Sequence, residues 1–135
     1  MKPRFAIFAA ALAAVLFASA NTAIPQERPC HSTHPVDTLK KMSEAIYACW
    51  MPPAGTAGMS LTLQFSLRRN GTLIGKPRAT YSDLGTNPQL SRAFVASILK
   101  ALDDALPLPF SDSMGGAIAG RMLAPRFTAA LVGAS

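Results

Sequence analysis

From Met59 to Arg68 the chain alternates apolar and polar residues without a break. Met59, Leu61, Leu63, Phe65 and Leu67 form one row, and Ser60, Thr62, Gln64, Ser66 and Arg68 form the other. A period of two puts these rows on opposite faces of a strand, so the strand is expected to be half buried. Asn70-Gly71 follows directly. That pair is favoured in tight hairpin turns, where both positions take positive φ. Leu73 to Tyr81 then returns as a second strand, loosened in its middle by Gly75 and Pro77.

On either side of the hairpin the period lengthens. Between Asp37 and Trp50, the residues Leu39, Met42, Ile46 and Cys49/Trp50 recur at steps of three and four. This predicts an amphipathic helix with Asp37 as its N-cap, and Pro52-Pro53 forbids its continuation. Asn87-Pro88 predicts the start of a second helix, with a capping side chain ahead of a proline at the first helical position. Leu90, Phe94, Ile98 and Leu102 follow at steps of four until Pro107 and Pro109 end the pattern. Ser111 to Gly116 reads as a flexible loop, and Ile118 to Phe127 as a third strand weakened by Gly120 and Pro125. The predicted order is helix-strand-strand-helix-strand. The expected fold class is α+β, a two-layer sandwich with two helices on one face of a three-stranded antiparallel sheet.

Cys49-Trp50 followed by Pro52-Pro53, Gly58 ahead of the alternating strand, the Asn70-Gly71 turn and Gly75-x-Pro77 together make a pattern. With the second helix, the run Leu106-Pro107-Leu108-Pro109-Phe110 and a last strand ending at Phe127, it resembles the TonB/TolA C-terminal domain family from Val36 onward. The resemblance implies an envelope protein-interaction module that binds partners partly by adding a strand to a sheet edge. Similar domains often pair the cysteine before the tryptophan with one in the second helix. The second helix here has none, which leaves Cys30 as the substitute.

The first residues change the picture of where the chain works. Lys2 and Arg4, the apolar run Phe5 to Phe17, and Ala18-Ser19-Ala20 read as a secretory signal peptide over residues 1–20. The alternative is an uncleaved membrane anchor, for which the run is short of the ~20 residues that span a bilayer. Residues 21–35 form a proline-punctuated arm, 36–128 the domain and 129–135 a tail. Cleavage after Ala20 leaves eleven basic against seven acidic residues, a net charge of +4. That is a mild excess without a long basic cluster, which argues against a nucleic-acid partner. The expected location is the periplasm, with membrane contact only if the leader is kept.

Candidate chemistry is sparse. Cys30 and Cys49 are an even pair in an exported chain and are expected to be bridged, a stabilisation of about 3 kcal/mol from lost chain entropy of the unfolded state. Two reduced thiols are the alternative. His31 and His34 beside Cys30 have the residue types of a metal site but lie in an arm with nothing rigid to hold them. No Gly-x-Ser-x-Gly elbow occurs, and Asp83, Asp103, Asp104 and Asp112 fall in or beside loops or on a helix end. The chain is therefore expected not to be an enzyme, and to use no cofactor, metal or small-molecule substrate. Trp50 is expected to plug the core with its N–H on a backbone carbonyl, the alternative being an exposed aromatic on a partner surface.

The expected activity is binding of envelope proteins. The predicted docking edge is the third strand at Ile118, Ala119, Arg121 and Leu123, because Pro125 is tolerated only on an edge strand. A small secreted enzyme or inhibitor is the competing class.

Overall fold

The computed structural model of the chain describes residues 29–130. The predicted signal peptide and most of the predicted tail lie outside them. Three helices and three strands follow in the order α1 (Leu39–Tyr47), β1 (Ser60–Leu67), β2 (Leu73–Asp83), α2 (Pro88–Ala105), α3 (Asp112–Ile118) and β3 (Arg126–Thr128). The strands form one antiparallel sheet in the order β2-β1-β3. This is a small α+β fold, with one helix more than the sequence pattern predicts.

The alternation in β1 has the expected consequence. Leu61, Leu63, Phe65 and Leu67 are buried, and the polar residues between Leu61 and Leu67 are half buried. Against the apolar row pack Met42 and Ile46 of α1, Phe94, Ile98 and Leu102 of α2, Met114 and Ile118 of α3, and Phe127 of β3. At roughly 25 cal/mol per Å² of apolar surface removed from water, this burial is the largest favourable contribution to the fold. Trp50 completes the cluster, edge-on to Phe94 at 5.9 Å and to Phe127 at 5.3 Å between ring centroids. Its Nε1–H donates to Ser97 Oγ at 3.0 Å, so the indole is satisfied by a side-chain hydroxyl where a backbone carbonyl was expected.

The second helix starts as predicted, with Asn87 Oδ1 accepting from the amides of Gln89 and Leu90 and with Pro88 at its head. In the first helix the cap is Thr38, whose Oγ1 accepts from Lys41 N, and not Asp37. Asp37 instead sits 2.8 Å from Lys41 Nζ, and that hydrogen bond lowers its carboxyl pKa. A disulfide joins Cys30 to Cys49 and ties the arm to the end of α1. The arm is held again at Val36, which forms a parallel bridge to Phe110 through Val36 N to Pro109 O and Ser111 N to Val36 O.

The hairpin differs in detail from a two-residue turn. Gly71 has φ of +82°, while Asn70 keeps negative φ. Gly71 N–H donates to Arg68 O and Arg68 N–H to Thr72 O, which makes a three-residue loop closed by a bulge. The reason lies outside the hairpin. Gly71 O accepts from Leu108 N at 3.1 Å, so the loop lies against the proline-rich segment after α2. A side chain at Gly71 would overlap the Leu108 carbonyl oxygen and come within 2.6 Å of its nitrogen.

The predicted third strand needs the largest correction. Ser111 does not open a flexible loop: it caps α3 through Oγ accepting from Met114 N. Ile118 therefore ends a helix, and Gly120 (φ +72°) turns the chain in the left-handed conformation common after helices. Leu123 then makes an isolated bridge to Phe65. Pro125 has no N–H to extend the ladder, and β3 proper begins only at Arg126. At the other end the ladder passes the predicted start of the tail, since Ala129 N–H donates to Met59 O and Gly58 N–H to Ala129 O.

Gly71→Ala is expected to destabilise the chain by roughly 3 kcal/mol or more, from the left-handed backbone together with the overlap at Leu108. Gly75 also has positive φ, but a Cβ there meets nothing within 4 Å, so Gly75→Ala is expected to cost only about 1 kcal/mol. Urea melts of both variants check the difference, and equal losses would deny that the Gly71–Leu108 contact constrains the fold.

Candidate functional site

A three-stranded sheet has two outer edges, and they are built differently here. In β1 the odd-numbered residues bond toward β3: Leu63 N–H donates to Pro125 O, and Phe65 exchanges both bonds with Leu123. The even-numbered residues therefore bond toward β2, as Arg68 N–H to Thr72 O illustrates at the hairpin end.

On the β3 side the predicted docking donors are all engaged within the chain. Ala119 N–H donates to Gly115 O at 3.1 Å, Arg121 N–H to Ile118 O at 2.9 Å and Leu123 N–H to Phe65 O at 2.8 Å. Ile118 is buried at the end of α3. The structure thus does not bring Ile118, Ala119, Arg121 and Leu123 together as an edge that accepts a strand. Past Pro125 the outward carbonyl of Arg126 is taken as well, by Tyr47 Oη–H at 2.7 Å. Tyr47 also packs edge-on against Phe127 at 5.2 Å, so α1 lies across this edge.

The β2 side is open. Seven of its eleven residues pair with β1, and among the described residues no strand lies on the far side. The alternation leaves the backbone groups of Leu73, Ala79 and Ser82 pointing outward, because they stand opposite Leu67, Leu63 and Leu61. Register shifts flank Leu63 and Gln64, so Thr80 and the run Gly75 to Pro77 are irregular. Such irregularities, with Lys76 and Pro77, blunt an edge locally. The Leu73 carbonyl is already used by Arg68 Nη1 at 2.6 Å. Ala79 to Asp83 remains, about the length of an ordinary strand and interrupted by the bulge at Thr80.

Beside this edge lies an apolar groove of about 450 Å³ between β2 and α2. Thr72, Leu73 and Pro77 form one wall, and Leu99, Leu102, Leu106 and Pro107 are among the residues of the other. Leu99 is 42% exposed, high for a leucine on a helix packed against a sheet. Helix α2 starts at the Leu84 end of β2, where Ser91 Oγ donates to Leu84 O, and finishes beside Leu73. The groove is walled by the C-terminal half of α2 and reaches β2 from Leu73 to Pro77, at the hairpin end of the edge.

The outward face of the sheet is mostly polar, with Ile74, Tyr81 and Met122 exposed on it. Arg126 lies over the Tyr81 ring at 5.2 Å and its Nη2 donates to Ser60 Oγ at 3.3 Å, so one guanidinium spans three strands. The other candidates do not converge. Among the described residues no group of three or more His, Cys, Asp or Glu is placed to hold a metal ion. Asp104 pairs with Lys100 at 2.6 Å on the exposed side of α2, and this raises the lysine pKa. Among the described residues no helix is long and apolar enough to cross a membrane. The open edge and its groove are the features that sequence reading missed. The signal available was Leu99, which falls one step off the buried row of α2.

A family of proteins described as uncharacterised conserved protein UCP034077 matches residues 32–131. The chain belongs to this family. The UCP034077 match takes in every helix and strand described above, while Cys30 of the disulfide falls just before it. No curated protein and no solved structure matches the chain.

Burial raises the Tyr47 phenol above its ordinary pKa. The neutral phenol is the form that donates to Arg126, so the stability it contributes is present below the unfolded-state pKa of ~10 and is lost as pH rises through the higher folded value. Absorbance titration at high pH is expected to show a late-titrating phenol that disappears in Tyr47→Phe. The variant should lose about 1 kcal/mol of stability at neutral pH. A Tyr47→Phe chain as stable as the parent at neutral pH would mean that the β3 edge is not closed by this hydrogen bond.

Proposed function

We propose that the chain is a periplasmic protein-interaction module of the TonB/TolA C-terminal kind, which takes an extended segment of an envelope partner as an additional strand on β2. The observation that carries this reading is an open edge, Ala79 to Asp83, that continues at its Pro77 end into an apolar groove along α2. Strand addition needs both: backbone groups supply affinity, and a pocket beside the edge selects alternate side chains. The β3 side offers less, since the donors of Ala119, Arg121 and Leu123 are used within the chain and Tyr47 takes the Arg126 carbonyl.

The periplasmic location is supported by the leader-like pattern of residues 1–20 and by the Cys30–Cys49 disulfide, a bond that persists in oxidising compartments. The module works by binding and has no catalytic step. The scatter of His31, His34, Asp83, Asp103 and Asp112 over separate elements supports that, because acid–base or nucleophilic chemistry needs such groups within hydrogen-bond reach of one another.

Ser82→Pro tests the edge, since it removes an outward N–H without touching a bond to β1. The variant is expected to fold but to lose the partner that the parent chain captures from a periplasmic extract. Ala124→Pro, on the outward side of the opposite edge, is expected to capture it normally. Capture retained by folded Ser82→Pro and lost by folded Ala124→Pro would place the interface on β3 and refute the reading.

A further inference from the structure

The β2 edge is charged as well as open. Lys76 and Arg78 project from it, and the Arg68 guanidinium lies on the Leu73 carbonyl at its hairpin end. Among the described residues the ion pairs are Lys40–Glu44, Lys41–Asp37 and Lys100–Asp104, so none of these three cations has a carboxylate partner. One carboxylate, Asp103, lines the groove across from them, and Asp83 stands at the far end of the strand. Three cations against one anion therefore surround the groove end of the edge.

We infer, resting on the strand-addition reading above, that the partner segment is acidic: an extended peptide with apolar residues at alternate positions and carboxylates between them. In a strand laid on β2, side chains alternate between the two faces of the sheet. Where the segment runs on past Ala79 toward the hairpin end, those on the helix-facing side meet the groove that Pro77, Leu99 and Leu102 line. Those on the other side meet the face that carries Arg78, which is paired with Gln64 of β1. Carboxylates at these positions would pair with Arg78, Lys76 and Arg68, while basic residues there would be repelled. The segment is thus read twice, by apolar fit on one face and by charge on the other. The same cations discourage a second copy from pairing β2 with β2 across this end, because each would bring the same charges.

The test uses the chain with its disulfide intact and three blocked peptides of eight residues, in which leucine alternates with glutamate, glutamine or lysine. Binding is followed by backbone amide shifts. The glutamate peptide is expected to move the amides of Ala79 to Asp83 and those of Leu99 and Leu102. It should bind about tenfold more weakly to Lys76→Glu/Arg78→Glu, the scale of two exposed ion pairs turned into repulsions, and more weakly as salt rises. The lysine peptide should prefer the reversed chain. Both substituted residues are exposed, and an unchanged thermal melt certifies the fold of the variant. Equal binding of the glutamine and glutamate peptides at β2 would overturn the acidic preference and leave strand addition standing. If the glutamate peptide shifts only Tyr81 and Arg126 on the outer sheet face, charge is read elsewhere and the inference fails. If no peptide shifts β2 amides, strand addition itself fails with it.

Discussion

Strand β1 is bonded on both sides and buried on one face, and the rest of the structure follows from satisfying those two demands together. Its odd-numbered residues give their side chains to the core and their backbone to β3; its even-numbered residues bond to β2. A central strand cannot leave backbone groups unpaired in a dry interior without a cost comparable to a lost hydrogen bond for each. On the β3 side, β3 itself spans only three residues. The ladder is completed by single contributions from Leu123, Pro125 and Ala129, each offered by a segment that is otherwise irregular.

That economy explains why one edge is closed and the other open. The segment after α3 spends its donors on turning and on reaching β1, and Tyr47 caps an outward carbonyl beyond Pro125. Strand β2 is the long return of a hairpin, set by the loop at Gly71 and by the contact of that loop with Leu108. All three helices bring apolar residues to the sheet, yet α2 leaves Leu99 uncovered beside β2. An open edge and a groove are what remains when a small core is filled by β1, α1, α2, α3 and β3.

Local chemistry carried the sequence reading far where it acts alone. Alternation over Met59 to Arg68, Asn87-Pro88 at a helix start and the two cysteines are decided by neighbours along the chain, and each is found as expected. The failures lie where distant segments intervene. Ile118 to Phe127 has enough apolar residues for a strand, but Ser111 caps a helix ahead of it and Gly115 packs so close to Arg69 that a Cβ would lie 2.7 Å from the Arg69 carbonyl oxygen. Asn70-Gly71 has the residues of a two-residue turn, but the bond from Leu108 holds Gly71 in a bulge. The same reason governs the β3 side: Pro125 does mark an edge strand, yet the donors of Ala119, Arg121 and Leu123 ahead of it are spent within the chain.

The claim on which this account turns is that β2 is the available edge and β3 is not. Residue-resolved amide hydrogen exchange in the chain alone measures it directly. Ala79 and Ser82 should exchange close to the unprotected rate, while Leu63, Phe65 and Leu123 should exchange only through global unfolding. Slow exchange at Ala79 and Ser82 together with fast exchange at Arg121 and Leu123 would contradict it.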